Sequence, residues 1–280
     1  MEQFIQLLHY QFFMNAVYAS ILTSISCGII GTYIVSKRIV FISGGITHAS
    51  FGGIGLGYFF GFSPILGATI FSILSALGIE FMSKKTDVRE DSAIAILWSF
   101  GMAVGVIFIF LTPGYSANLM SYLFGNILTV SGLNLLLLFI LSVVIIIVFL
   151  VLYKTILFVS FDEQYARAIR LPVETINYLL ITLIALTIVL NIRVAGIILV
   201  ISLLTIPQTI ANIFSKNFKT IIFLSIAIGF VGSMMGLILS YFLNIPSGAS
   251  IIFFFVLLFI IAKIIKIIQT SIIYKTAVNR

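Results

Sequence analysis

Long apolar runs occupy most of this 280-residue chain, and its few charges fall almost entirely between them. A helix needs roughly 20 apolar residues to cross about 30 Å of hydrocarbon, and in lipid only a helix or a closed barrel satisfies its own backbone hydrogen bonds. On that ruler the sequence predicts spans near 12–35, 39–61, 63–83, 91–112, 132–153, 174–192, 194–214, 218–242 and 249–268. The expected fold class is all-α, a polytopic membrane helix bundle of about nine transmembrane helices. Two spans nearly fuse at Asn191–Arg193, so a count of eight, with one piece broken or re-entrant, stays open. A soluble exterior is excluded, because 8% charged residues and a mean hydropathy of +1.28 cannot cover a domain of this size with polar surface.

The charges also fall with a sign. Alternate connections collect Lys37, Arg38, Lys84, Lys85, Arg89, Lys154, Arg167, Arg170, Lys216 and Lys219, followed by Lys263, Lys266, Lys275 and Arg280, while Arg193 alone falls on the other side. Lys and Arg accumulate in cytoplasmic loops, so the N-terminus is expected outside and the C-terminus in the cytoplasm. The net charge of +7 is spread over many short connections rather than gathered in a stripe with aromatic platforms, which argues for lipid headgroups and against nucleic acid as its partner. Cys27 is the only cysteine, so an intramolecular disulfide or a CxxC pair is excluded, and its place in an apolar run predicts a small buried residue. No Lys or Arg precedes residue 37 and no clear small-residue cleavage site is present, so the first span is expected to stay in the mature protein. No hydrophilic linker, low-complexity tract or internal repeat divides residues 1–280, which are expected to form one transmembrane domain.

Two stretches depart from simple loops. Residues 114–131, GYSANLMSYLFGNILTVS, are too apolar for a solvated loop and too interrupted to span, which predicts a short outer-face or re-entrant helix. Asn118, Tyr122 and Asn126 share one face of it and are candidates to line a pathway; hydrogen bonding between helices is the competing explanation. Asn244 to Ser250, NIPSGAS, marks a second break.

The second span carries SGGITHASFGGIGLGYFFG over 43–61. Glycine weakens a helix, so this density points to close helix packing or to backbone beside a pathway. Gly45, His48, Ala49, Gly52 and Gly55 share a helix face, and Gly44 lies one turn before His48. An ionisable group at membrane depth is a candidate site, and neutral imidazole is a good ligand for zinc and other transition metals. His48 is thus either a metal ligand or a neutral histidine bonded to a neighbouring helix; Gly44, Gly45 and Gly52 are the pathway-lining candidates beside it.

Residues 160–175, SFDEQYARAIRLPVET, form the longest polar interval between strong spans. Asp162 and Glu163 lie toward a helix start and Arg167 and Arg170 toward its end, as the helix dipole favours, with Glu163 and Arg167 at i,i+4 and Pro172 as the stop. A short amphipathic helix here suits either a solvated loop or a docking surface for a soluble partner. Glu90 and Asp91 fit a dipole role at the start of the fourth span, and Glu80 and Lys84 have the spacing of an interfacial pair.

Taken together, GGITHASFGGIGLG at 44–57, EDSAIAILWSFGMAVGV at 90–106, GYSANLMSYLFGNIL at 114–128, FDEQYARAI at 161–169, RVAGIILVISLLTIPQTIA and LNIPSGASI resemble the permease subunits of the zinc/manganese/iron class of bacterial ABC importers, in order and over almost the full length. The resemblance implies an architecture similar to cobalamin-type importers, a second permease copy, two cytoplasmic ATP-hydrolysing subunits and an extracytoplasmic metal-binding protein. It implies the bacterial cytoplasmic (inner) membrane, a transported divalent metal, zinc or manganese, with no permanently bound cofactor, and a coupling helix at 160–173 that carries Asp162, Glu163, Arg167 and Arg170. ATP is expected on the partner subunits, because the chain lacks a GxxxxGK[ST] loop; HExxH and GxSxG are absent too, so it is not expected to be an enzyme. His48 matches the histidine of the family's ligand-bearing second span. Many relatives have an aspartate four residues earlier, where this chain has Gly44, and the loss of a hard oxygen donor moves the balance from manganese toward zinc. The alternatives are a permease for iron or chelated metal, and an ion-coupled secondary transporter, for which mid-span carboxylates are scarce.

Overall fold

The computed structural model describes residues 10–113, 125 and 127–278, with side chains through residue 271. The helices are α1 (Gln11–Ser36), α2 (Val40–Phe60), α3 (Pro64–Lys85), α4 (Glu90–Leu111), α5 (Gly132–Val151), α6 (Tyr153–Phe161), α7 (Glu163–Ala168), α8 (Val173–Ala195), α9 (Ile197–Leu203), α10 (Ile206–Phe214), α11 (Phe218–Leu243) and α12 (Ser247–Val278). Eight segments among the described residues are long and apolar enough to cross a membrane, with α9 and α10 counted as one. The 21-residue α2, rich in glycine and carrying His48, is of similar length but is not among these eight.

Contacts between distant elements show that α2 crosses as well. Lys37 Nζ donates to Asn177 Oδ1 at 3.1 Å, Lys84 pairs with Glu163 at 3.3 Å and Lys85 with Glu174 at 3.5 Å. Lys219 lies 4.8 Å from the Tyr153 ring centroid, and Lys216, Lys263 and Lys266 border one cleft. At the opposite end Asn15 Nδ2 donates to the Val130 carbonyl at 3.1 Å, and Ile54, Ile65, Ile192 and Arg193 border a small cavity. Since α2 leaves the lysine-rich end at Val40 and α3 returns there at Lys85, α2 traverses the bundle, a ninth pass beside the eight. The basic residues of the described loops thus gather at one end, and Arg193 sits at the other.

Burial separates centre from rim. About two thirds of the apolar window of α8 is buried (67%) and 61% of that of α1, against 17% for α4 and for α12. Ile30, Ile34, Leu180, Ile184 and Ile188 form the middle of the core. Hydroxyls on α1 turn back on their own backbone: Ser20, Ser24 and Thr32 donate to the carbonyls of Ala16, Ser20 and Gly28 at 2.8, 2.6 and 2.7 Å. Lipid offers no substitute partner, so this local bonding permits hydroxyls in the core. Cys27 is fully buried there.

Three boundaries differ from the expected ones. The turn expected at Asn191–Arg193 lies at Gly196, whose φ of 80° only glycine adopts without strain, so α8 continues through Arg193 to Ala195. The span that follows is broken at Leu204–Thr205 into α9 and α10, with Pro207 in the first turn of α10. The helix expected within 160–173 ends at Ala168, before Arg170, whose φ is 59°; Pro172 is not its stop but the residue from which α8 starts. At 244–250 the break is a clean turn, with Asn244 left-handed at φ 53° and α12 starting at Ser247.

Candidate functional site

The glycine face of α2 is pressed on α4. An added Cβ at Gly52 would lie 2.8 Å from the Gly101 carbonyl oxygen, and one at Gly101 only 2.5 Å from Ala49 Cα. At Gly45 it would meet Ile94 Cγ2 at 2.5 Å. Without side chains between them the two backbones approach closely, as small residues permit in lipid. The structure therefore places Gly45 and Gly52 in a helix–helix contact. Gly44 differs, because a Cβ there would meet nothing within 4 Å.

His48 projects from this face and stacks on Trp98 of α4, with ring centroids 4.4 Å apart and planes 4° from parallel. The indole fixes the plane of the imidazole and covers one of its faces, not the ring edge that carries both nitrogens. The residue is half-buried, and its nitrogens have no hydrogen-bond partner among the described residues. The interhelical hydrogen bond expected of a structural histidine is thus missing within the described region. Nor do three His, Cys, Asp or Glu side chains converge among those residues, so His48 stands as a single donor beside the open space at Gly44. Such an arrangement can hold an ion briefly at one nitrogen. Asn118, Tyr122 and Asn126 lie outside the described residues.

Eight residues of α2, Val40 to Thr47, separate His48 from the lysine-rich end, where α7 is tied into the bundle. Asp162 caps α7, its Oδ1 accepting from the Tyr165 amide at 2.8 Å. Glu163 accepts from Arg167 at 3.0 Å, as the spacing predicts, and pairs with Lys84 at the end of α3. Lys84 thus reaches α7, not the Glu80 of its own helix as its spacing suggested. Lys85 and Arg167 both approach Glu174 at the start of α8, at 3.5 and 3.8 Å. Burial by itself would raise the Glu163 carboxyl, but the Arg167 hydrogen bond and the Lys84 and Lys37 charges outweigh it and hold it below the usual carboxylate range. Arg170 makes no ion pair among the described residues and is exposed. Glu90 and Asp91 occupy the first turn of α4 as the dipole favours; Asp91 additionally pairs with Arg89 at 3.1 Å.

The sequence did not single out Trp98, Lys84 as the partner of Glu163, or Gln208. Gln208 is fully buried and donates to the Cys27 and Leu203 carbonyls at 2.8 and 2.9 Å, joining the broken α9–α10 segment to α1. A lone tryptophan and a glutamine within an apolar run were the available signals; their partners lie far away in sequence.

A family model described as ABC 3 transport family matches residues 9–266. An uncharacterized membrane protein of Synechocystis, slr2045, is 45% identical over 90% of this chain and 89% of its own length. The manganese transport system membrane protein MntC of Halalkalibacterium halodurans is 32% identical over 89% of this chain and 85% of its own. Among solved structures, PsaBC from Streptococcus pneumoniae, in complex with Fab, superposes with a TM-score of 0.83 at 30% identity, covering 93% of this chain and 94% of that one.

Proposed function

Because the chain belongs to the ABC 3 transport family, we propose that it is the membrane-spanning permease subunit of an ATP-driven importer of a divalent transition metal, zinc or manganese. The observation that carries the reading is His48: a half-buried imidazole held flat on Trp98, its nitrogens without a hydrogen-bond partner among the described residues, with open space one turn away at Gly44. An unpaired ionisable group at membrane depth is costly, and its retention there suits a ligand on an ion path. The name of the MntC relative supports manganese, while a nitrogen donor with glycine at position 44 supports zinc.

In this reading a metal-binding protein outside delivers the ion, a second permease copy completes the pore, and cytoplasmic ATPase subunits supply the work. The lysine-rich end faces the cytoplasm and the start of α1 faces outward, in the bacterial cytoplasmic membrane. The 160–173 segment, with α7 at its centre, is the coupling element. Asp162 fixes the start of α7, and Glu163 and Arg167 join it to α3 and α8, so that a push on α7 is passed to the helix packed against α2. ATP-driven closure then moves α7 and shifts access to His48 from one side to the other.

The test is uptake of zinc and manganese by proteoliposomes holding the chain and its partners, normalised to assembled complex. His48→Ala is expected to lower uptake at least tenfold, since loss of even an outer-shell partner of a metal ligand costs about 10–100-fold. Normal uptake by the assembled variant would remove His48 from the path.

A further inference from the structure

We propose that the cleft between α10 and α12 at the lysine-rich end binds the phosphate of an anionic phospholipid. The cleft is an open groove of about 510 Å³ bordered by Thr209, Asn212, Ser215, Lys216, Lys263 and Lys266. That volume lies within the range of about 300–1,000 Å³ usual for small-ligand sites.

Charge is the first argument. After Glu174 the sequence contains no Asp or Glu at all, so no acid in the last three helices can neutralise these lysines. At the α3–α7–α8 junction Lys84, Lys85 and Arg167 are all paired with Glu163 or Glu174; Lys216, Lys263 and Lys266 have no ion pair among the described residues. Three lysines line one concavity, Lys263 with its ammonium 5.9 Å from the Phe259 ring centroid, and an anion supplied from outside the chain relieves the repulsion among their like charges.

Donor geometry is the second. Lys216 Nζ is anchored to the Asn212 carbonyl at 3.0 Å and to its Oδ1 at 3.4 Å, which fixes the ammonium at the cleft wall and turns the Asn212 amide group. Ser215 Oγ accepts from the Asn217 amide at 3.1 Å, so its own hydrogen remains free to donate. Lys263 and Lys266, exposed and three residues apart on α12, close the other side.

Depth selects a lipid over a soluble anion. At 1.5 Å per residue, Lys263 and Lys266 lie about 24 and 29 Å along α12 from Ser247, near the far edge of a hydrocarbon layer of about 30 Å. Ile213 and Phe214 line the cleft, with Phe214 44% exposed, and Ile260 and Ile264 flank Lys263 on α12 at 47% and 51% exposed. Acyl chains can lie on these side chains while the phosphate meets the lysines; a free phosphate or an acidic protein face has no use for that apolar border.

The test is native mass spectrometry of the full chain titrated with phosphatidylglycerol or phosphatidylcholine. Each Lys→Gln change at 216, 263 or 266 is expected to weaken the first phosphatidylglycerol about fivefold, and the triple variant on the order of 100-fold, with phosphatidylcholine unaffected. The triple Lys→Arg variant, which keeps the charge, should retain wild-type affinity and separates charge from misfolding. Equal weakening of both lipids would overturn the proposal. So would displacement by millimolar inorganic phosphate, which would mark a free-anion site, or an unchanged lipid affinity with impaired ATPase assembly, which would mark an acidic protein partner.

Discussion

Gly44→Asp tests the metal path most sharply, because the space for the new side chain already exists. A Cβ at position 44 meets nothing within 4 Å, so the substitution carries no packing penalty. Replacing a helical glycine gains up to about 1 kcal/mol for alanine and only about 0.3 kcal/mol for aspartate. A carboxylate at the centre of a bilayer costs about 2.5–3.5 kcal/mol, but Gly44 lies only about 6 Å along α2 from Val40, near the Lys37 and Arg38 charges, so the net destabilisation stays below about 3 kcal/mol. Residues 44 and 48 are one turn apart, their Cβ atoms about 5–6 Å from each other, close enough for an Asp oxygen and the His48 imidazole to reach one ion. Adding a hard oxygen donor to a nitrogen donor favours manganese, and an improvement of its selectivity against zinc on the order of tenfold, about 1.4 kcal/mol, is expected. The assay is competitive uptake of the two ions, normalised to assembled complex, with Gly44→Asn as the uncharged match in size. An unchanged ratio in assembled Gly44→Asp, or an equal shift in Gly44→Asn, would refute the assignment of this face to the ion.

Glu163→Gln should lower stability by about 1 kcal/mol, since it weakens two partly exposed pairs, to Lys84 and Arg167. Because the folded carboxyl is held below its usual range, its contribution is complete above the unfolded carboxylate pKa and disappears as pH falls through the lower folded value; the gap between wild-type and variant melting curves should therefore close in acid. The same variant should reduce ATP-driven uptake, and unchanged uptake with normal ATPase binding would leave α7 a simple loop. For orientation, single cysteines in a Cys27→Ser background should react with an impermeant reagent from the cytoplasm at Thr86→Cys and from outside at Ser63→Cys, and the reverse pattern would invert the topology.

Much of the fold was legible because a bilayer imposes a length and a polarity that sequence displays directly. Residues 218–242 were predicted as a span and α11 runs over Phe218–Leu243; the basic loops that implied a shared side do meet at one end of the bundle. The boundaries that moved were set by single-residue backbone chemistry inside apolar runs. Arg193 reads as a loop residue by its charge, yet the left-handed conformation at Gly196 decides where α8 ends. Lys84 fits Glu80 by spacing, yet the ion pair formed is with a residue 79 positions away.

At the candidate site, sequence by itself determined that a histidine would stand among glycines at membrane depth, because helical periodicity puts His48, Ala49, Gly52 and Gly55 on one face. It could not separate the glycines that pack from the one that leaves space. That distinction depends on what α4 presents opposite each of them: Gly101 and Ile94 close the contact at Gly52 and Gly45, Trp98 orients the imidazole, and nothing fills the volume at Gly44. Hydropathy and periodicity belong to one helix at a time and are therefore written along the chain; the distance between two helix faces is a property of the pair, and only the tertiary structure decides it.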